Sequence, residues 1–596
     1  MATVIAGPRG RAYISPDYTG PVETEIETTW LAQLLPDNAR WFSPPAYGLL
    51  TFRDLFLPRQ LASLIAFSDL IADARQQVLA DAKHLSTNLD INSLAAGGRG
   101  IPAYADAVGV YLSLALSRLA TYNNTICHWN VKGGSIQSIF SRQAIPMSWD
   151  FMEICPYADF SGNWTGAVEW IADAVDALVT GEPGTVDQID ATAHIGSQSV
   201  VVSTDPPYYD NIGYAELSDF FYLWLRRSLN GVYPELFSTL LVPKAQELIA
   251  SPVRTNGDKA AAREFFETGL SRAFSRIVEA QDTRFPITIY YAFKQSEVGD
   301  SGSDVIGDAV GSTGWESMLE GLISSGLAIT GTWPMRTEKR GRMIAVGTNA
   351  LASSIVLVCR PRLDSAGMTT RKDFLSKLKR ELPPALREMQ QGNIAPVDLA
   401  QASIGPGMAV FSRYRKVLET DGSPMRVRTA LALINQALDE VLSEQESEFD
   451  PDTRWALAWF EQHQFDDGAY GEAEVLATAK ALSISHLAEA GILQSRAGKV
   501  RLLRRSELPE DWDPSAISRL TVWEVTQHLI RRLDQKGETE TANLKAKIGG
   551  MAEIARDLAY RLYTLCERKG WAEEAGYYNS LVVAWPSMAS EAFELK

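Results

Sequence analysis

The chain has little of what several function classes need. Its 596 residues include four cysteines, Cys127, Cys155, Cys359 and Cys566, and no two of them form a C-x-x-C pair. That scatter argues against a disulfide framework and against a cysteine zinc site. The six histidines show neither H-x-x-x-H nor H-E-x-x-H spacing, so metal-dependent hydrolysis has no support and no metal is expected. No apolar run reaches transmembrane length and no charged, apolar leader follows Met1, which points to a soluble protein of the cytoplasm with no membrane partner. Positive charge is scarce as well. The 56 Lys and Arg against 73 Asp and Glu leave a net charge of −17, which opposes nucleic-acid binding over the whole surface and shifts the question to local basic clusters.

A hydrophobic content of 46% over this length is enough for several domains, each with its own core. Residues 1–45 are rich in Pro, Gly and Thr and read as an irregular lead-in. Residues 46–180 read as mainly helical, with apolar residues at helical spacing from Thr51 to Ala82 and from Tyr104 to Tyr122. The pattern changes near Thr185. The β-branched run Ser199-Val200-Val201-Val202-Ser203 predicts a buried parallel strand. Helices are expected at about Leu217–Leu229 and Arg263–Ala280, a strand over Ile287–Phe293, a helix over Trp315–Ser325, and strands over Leu327–Trp333 and Ser354–Cys359. Such alternation in residues 181–365 implies an α/β, doubly wound sheet with ligands at the carboxyl ends of its strands. The last two strands, with no helix between them, predict an antiparallel pair at one edge. Residues 366–465 read as helical, 466–510 as two helices and a basic hairpin resembling a winged helix, and 511–596 as helical again.

The run Thr204-Asp205-Pro206-Pro207-Tyr208-Tyr209-Asp210-Asn211 follows the first of these strands. Methylation of an aromatic amine is slow because the nitrogen lone pair is delocalised into the ring. An acidic side chain and the carbonyl of the proline after it can accept the two amine hydrogens and favour a tetrahedral nitrogen. Two prolines hold those acceptors in place before the reaction begins. The aromatic residue that follows offers a face for a flipped base. These roles fall on Asp205, on Pro206 with Pro207, and on Tyr208, while Tyr209, Asn211 and Tyr214 extend the polar and aromatic surface. The motif and the order of elements match the second half of a Rossmann-like methyltransferase sheet, with large helical additions on both sides. The expected cofactor is S-adenosyl-L-methionine.

The run DPPYYDNIGYAELSDFFYLWLRR resembles the large adenine-specific DNA methyltransferases of prokaryotic anti-phage and restriction-like gene clusters. So do FSRQAIPMSWDFMEICPY, ITIYYAFKQSE, TGTWPMRTEKRGRM, TNALASSIVLVCRPR and ELPPALREMQQGNIAPVDLAQASIGPGM. The likeness extends from about Phe42 onward and implies base flipping and methyl transfer to N6 of adenine in double-stranded DNA, alongside other defence-system subunits. N4-cytosine methylation uses the same loop chemistry and is the alternative reaction. The family's Phe-x-Gly-x-Gly cofactor loop has no counterpart here. Gly97-Gly98-Arg99-Gly100 is nearest in composition, but it lacks a preceding strand and reads as a linker. The chain therefore resembles the C-terminal two thirds of the family, and a second polypeptide or an N-terminal region is expected to carry the glycine loop. A non-catalytic DNA-binding or scaffold subunit is the alternative class.

Further candidates surround the motif. Arg336, Lys339, Arg340 and Arg342, between the last two strands, could contact phosphates beside a flipped base. Lys499, Arg501, Arg504 and Arg505 make the hairpin of the winged-helix-like segment basic. Arg142, Gln143, Trp149 and Asp150 form a polar, aromatic stretch. Lys294 and Gln295 follow a strand at the ligand edge. Asp190 precedes the catalytic strand by the spacing of a third-strand end, where the family places an acidic contact to the cofactor's adenine moiety.

Overall fold

The computed structural model describes residues 3–7, 10–14, 26–82, 90–131, 134–178, 181, 184–194, 199–209, 212–291, 313–336, 353–517 and 519–594. Among them the protein is a mixed α/β chain, mostly helical, with several small sheets. It folds as two compact units. The first comprises residues 1–188 and 210–247, and the second residues 189–209 and 248–596. The α/β region expected over 181–365 is thus shared between them, because the segment 210–247 packs with the first unit.

The first unit opens with an antiparallel hairpin, β1 (Thr3–Gly7) and β2 (Gly10–Ile14), where an irregular lead-in was expected. Val4, Ile5, Tyr13 and Ile14 are good strand formers, and they pair as Val4 with Tyr13 and Ile5 with Ala12. Helices α1 (Pro58–Ala82) and α2 (Ile101–Tyr122) follow, then the short hairpin β3 (His128–Asn130) and β4 (Ser135–Gln137), α3 (Trp164–Ala177) and α4 (Tyr214–Leu229). Leu61, Leu64, Leu116, Leu119, Phe220 and Trp224 form buried faces of α1, α2 and α4. Asp219 is buried on α4 and accepts from Lys244 Nζ at 2.8 Å and from the Val242 N–H at 2.8 Å. Burial still raises its carboxyl above the ordinary value, and those partners offset part of that cost.

The glycines at 97–100 have a local role. A Cβ at Gly98 would lie 2.1 Å from the Asn92 carbonyl oxygen, and one at Gly100 would lie 2.0 Å from that of Asp90. Only glycine lets these two backbone segments pass so closely, and Gly100 then caps α2.

In the second unit β5 (Ser203–Thr204) is followed by α5 (Lys259–Ala280), β6 (Ile287–Tyr291), α6 (Thr313–Ser324), β7 (Leu327–Arg336) and β8 (Ser353–Pro361). Asp258 caps α5 by accepting from the Ala260 and Ala261 N–H groups. Ala262, Phe266, Leu270, Ala273, Phe274 and Ile277 then form its buried stripe. The sheet order is β5-β6-β8-β7. β5 runs parallel to β6, and β8 is antiparallel to both β6 and β7. The last two strands pair as expected, but β8 lies inside the sheet and β7 forms its edge.

Next come β9 (Met368–Thr370), α7 (Arg371–Gln391), α8 (Pro396–Ser412), β10 (Lys416–Leu418) and α9 (Val427–Gln445). The chain continues through α10 (Pro451–His463), β11 (Gly468–Ala469), α11 (Tyr470–Ala479), α12 (Ile484–Glu489), β12 (Leu493–Arg496) and β13 (Lys499–Leu502). The three short strands form one antiparallel sheet in the order β11-β13-β12. Three long helices close the chain: α13 (Val522–Ile548), broken at Gly537, α14 (Met551–Arg568) and α15 (Ala572–Glu594). One continuous core runs from Phe266 on α5 to Met588 on α15. No helix among the described residues is long and apolar enough to cross a membrane.

Candidate functional site

The strand that carries Asp205 is longer than its two ladder residues. The Val200 N–H donates to the Ala280 carbonyl at 3.1 Å, the Asp282 N–H to the Val200 carbonyl at 2.8 Å, and the Thr288 N–H to the Val202 carbonyl at 3.1 Å. Ser203 and Thr204 then pair with Thr288 and Ile289. Alternation turns the backbone of Val201 and Ser203 to the other side, where β5 is the edge of the sheet, and Val201 is 66% exposed. Among the described residues no strand pairs with that edge.

The loop itself is held at its far end. The Ala250 N–H donates to the Tyr209 carbonyl at 2.6 Å, and the Tyr209 ring meets Phe266 edge-to-face at 5.1 Å. The half-buried Tyr208 ring meets Tyr291 edge-to-face at 5.5 Å, and Tyr291 in turn stacks on Trp315 at 5.4 Å. Tyr208 is thereby fixed in orientation at the carboxyl end of β6, where Tyr291 is the last strand residue. Pro206 and Pro207 are half-buried and Asp205 is exposed. A side-chain acceptor, two prolines and an oriented aromatic ring thus lie together where β5 ends. Asp210 and Asn211 lie outside the described residues. Tyr214 opens α4 in the first unit.

Partial burial raises the Asp205 carboxyl above its ordinary value of 3.8. A folded pKa above the unfolded one means that ionised Asp205 opposes folding. This cost is fully present above the folded pKa and vanishes below the unfolded one. Asp205→Asn is therefore expected to melt no lower than the wild type at pH 7, with the two curves converging as pH falls toward 3.8. A lower melting temperature for the Asn variant at neutral pH would contradict this and mean that the carboxylate makes stabilising contacts.

The other candidates divide. No strand runs into Asp190. It sits on an exposed turn in which the Thr192 N–H and hydroxyl both donate to its Oδ1 at 2.8 Å, so its expected place at a strand end is corrected. Asp-Ala-Thr is a sequence in which the side chain closes its own turn, and that local bond prevails over strand formation. Its carboxyl is held below the ordinary range by the same two bonds. Arg336 ends β7, while Lys339, Arg340 and Arg342, like Lys294 and Gln295, lie outside the described residues. In the first unit Arg142 and Gln143 are exposed, and Trp149 beside Asp150 is 75% exposed with one edge against Tyr47 at 5.2 Å.

The basic hairpin is the clearest departure. Arg501 forms two 2.6 Å bonds to Glu507, Arg504 meets Asp466 at 3.4 Å, Lys499 meets Asp467 at 3.7 Å, and Arg505 is buried against Glu574. Each of the four candidate cations already has a carboxylate, so the hairpin presents little free positive charge to a phosphate.

A basic surface that the sequence reading did not single out lies instead between α7 and β10. The segments 371–381 and 413–419 carry eight Lys and Arg against three Asp and Glu. The signal in the sequence was the dense run Arg371 to Arg380, which reads on its own as the solvated face of a helix. Among the described residues no group of three or more His, Cys, Asp or Glu side chains could hold a metal ion. Burial pushes the Cys127 and Cys359 thiols up to about 12, which makes them inert.

Residues 450–596 match the model of a family described as a domain of unknown function, DUF8807. The matched stretch covers α10 to α15 and leaves the Asp205 loop outside it. No curated protein and no solved structure matches the chain.

Proposed function

We propose that this protein is an S-adenosyl-L-methionine-dependent DNA methyltransferase, or the acceptor-binding part of one, that transfers methyl to the N6 amine of a flipped adenine. The observation that carries the reading is the placement of Asp205-Pro206-Pro207-Tyr208 at the carboxyl end of an edge strand, in a sheet ordered β5-β6-β8-β7 with only β8 reversed. The parallel β5–β6 pair and the antiparallel β7–β8 pair at the other edge fit the second half of a Rossmann-like methyltransferase sheet. The carboxyl end of such a sheet is where ligands bind. Asp205 and the Pro206 carbonyl would accept the two amine hydrogens, and Tyr208, held by Tyr291, would stack on the base. S-Adenosyl-L-methionine supplies the methyl group, and the nitrogen attacks it directly without a covalent enzyme intermediate.

The open edge of the strand at Val201 and Ser203 fits a neighbour strand carrying the glycine loop, from a partner chain or a further region of the protein. A role in the cytoplasm within a phage-defence or restriction-like system follows from the sequence resemblance. The helix, strand, two helices and hairpin over Pro451–Leu502 are in our reading a winged helix that serves protein contacts, since its hairpin cations are paired within the chain.

The test is expression of the chain, with its genomic neighbours, in a host lacking adenine methylation, followed by nucleoside analysis of that host's DNA. N6-methyladenine is the expected product. N4-methylcytosine would move the reading to the other amine, and an unmodified genome with every neighbour present would leave the scaffold class.

A further inference from the structure

The structure points to a second polyanion contact, and we propose that the surface formed by α7 and the turn into β10 binds the phosphodiester backbone of nucleic acid, as an anchor separate from the Asp205 loop. The proposal does not depend on methyl transfer.

Two segments distant in sequence build this surface. β9 and β10 pair in parallel, with Lys416 opposite Met368 and Leu418 opposite Thr370, and the Arg415 N–H donates to the Gly367 carbonyl at 3.0 Å. Arg413 reaches Glu381 on α7 at 2.8 Å, while Lys377 bonds the Tyr414 hydroxyl and lies 4.7 Å from its ring centre. Together, residues 371–381 and 413–419 have a formal charge of +5 in a chain whose total is −17.

Pairing with a carboxylate from outside the two segments lowers that excess by one and leaves the rest. Glu381 is shared by Arg380 and Arg413, Glu419 pairs with Arg371, and Glu440 on α9 pairs with Lys379. Lys372, Arg415 and Lys416 are exposed and have no ion pair among the described residues. On α7 the unpaired Lys372 and the exposed but paired Lys379 and Arg380 stand at i, i+7 and i+8, on the face opposite Phe374, Leu378 and Leu382, which are buried. Their Cα atoms span about 12 Å at 1.5 Å rise per residue, comparable to the reach of two or three phosphates along one strand. The aromatic ring in the patch, Tyr414, is half-buried and already occupied by Lys377. Protein-binding surfaces more often offer an aromatic or apolar centre. Exposed cations around such an occupied ring suit a phosphate backbone better.

The location makes it an anchor rather than part of the reaction site. The Ile329 N–H donates to Ser412 Oγ at 2.9 Å, which sets the end of α8 against the start of β7. β6 and β7 both run antiparallel to β8, so β7 shares the direction of β5, and Asp205 follows the carboxyl end of β5. The patch and the loop are at opposite ends of the sheet. The segment held by the patch is therefore not the one that presents a base to Tyr208.

The experiment is a fluorescence anisotropy titration of the full chain with a 30-base-pair DNA duplex at several salt concentrations, with an RNA duplex and polyglutamate as parallel probes. Lys372→Glu/Arg415→Glu/Lys416→Glu is expected to lower DNA affinity at least about tenfold. It should also flatten the slope of log K against log salt by roughly 2 to 3, since each lost phosphate contact contributes about 0.9. The neutral triple Lys372→Gln/Arg415→Gln/Lys416→Gln should lose part of that affinity with an unchanged melting curve, which separates charge from folding. Asp205→Ala should keep the patch-dependent part of the slope, so a failure of the methyl-transfer reading leaves this result standing. Comparable binding of the RNA duplex supports recognition of the backbone alone. Unchanged affinity and slope in both triple variants, no binding by the wild type, or polyglutamate bound as tightly as DNA would each overturn the proposal, the last by making the surface a dock for an acidic protein.

Discussion

If the proposed function holds, Asp205→Ala is expected to reduce methyl transfer to DNA by at least about 10²-fold, the loss typical of removing one preorganised hydrogen-bonding group from a reaction centre. The reason lies in what the alanine cannot do. The amine of adenine becomes nucleophilic only as its hydrogens are drawn into bonds that favour a tetrahedral nitrogen. With Asp205 gone, the Pro206 carbonyl can accept one hydrogen and the other is left to water. Asp205→Asn keeps a carboxamide oxygen as acceptor and should retain more activity than the alanine variant. Tyr208→Ala removes the stacking face and leaves a void against Tyr291, so it should weaken acceptor binding as well as turnover. The assay is transfer of labelled methyl from S-adenosyl-L-methionine to duplex DNA by the complex that shows activity in the host. If Asp205→Ala retains wild-type transfer in that assay, the assigned role is wrong.

How much of this was legible beforehand depends on the range over which each feature is determined. Strand and helix signals in residues 199–361 are local. Ile287 to Tyr291 and the α5 stripe from Ala262 to Ile277 bury the faces their spacing predicts, whereas Val200 to Ser203 pairs in parallel as expected but is an edge strand, half-buried to exposed, where a buried one was expected. The loop at Asp205 was legible for the same reason, since the prolines fix its backbone within a few residues. Pairing was not. The place of β8 inside the sheet depends on which strand covers Ile289 and Ile329, and spacing along one segment carries no such information.

Charge was read least well, again for a physical reason. A lysine or arginine in a sequence counts as positive, whereas its field in the fold depends on carboxylates brought from elsewhere. Arg504 meets Asp466 and Arg505 meets Glu574, partners 38 and 69 residues away, so the basic hairpin is largely neutralised. The α7 surface becomes strong in the opposite way, through the return of Arg413 to Lys416 beside a helix that ended more than twenty residues earlier. Asp190 failed for a shorter-range reason. Its own turn with Thr192 satisfies the carboxylate, and no strand is there to present it.

Arg505→Ala is expected to cost the second unit roughly 3–5 kcal/mol, the usual loss when one partner of a buried ion pair is removed and the other charge stays behind. Arg505 leaves the hairpin just after β13 and donates to Glu574 Oε1 at 2.8 Å and to Gln527 Oε1 at 2.9 Å. Its guanidinium carbon lies 4.3 Å from the Tyr577 ring centre and 5.6 Å from that of Phe465. Burial opposes its charge, yet Tyr578 and the Glu574 carboxylate hold it firmly protonated. One side chain therefore fastens the small three-stranded sheet to α13 and α15. Alanine would leave Glu574 buried without its partner and open space between two aromatic rings. Replacing both members, as in Arg505→Met/Glu574→Met, removes the stranded charge and should recover a large part of the loss, so the two single substitutions will not add. Thermal unfolding of the wild type, Arg505→Met, Glu574→Met and the double variant measures this directly, and strict additivity would show that the pair is not coupled. Limited proteolysis adds a spatial readout. In Arg505→Ala, cleavage should appear first between β13 and α13, at residues 503–521, because that connection lies where the pair now holds the two parts of the 450–596 family region together.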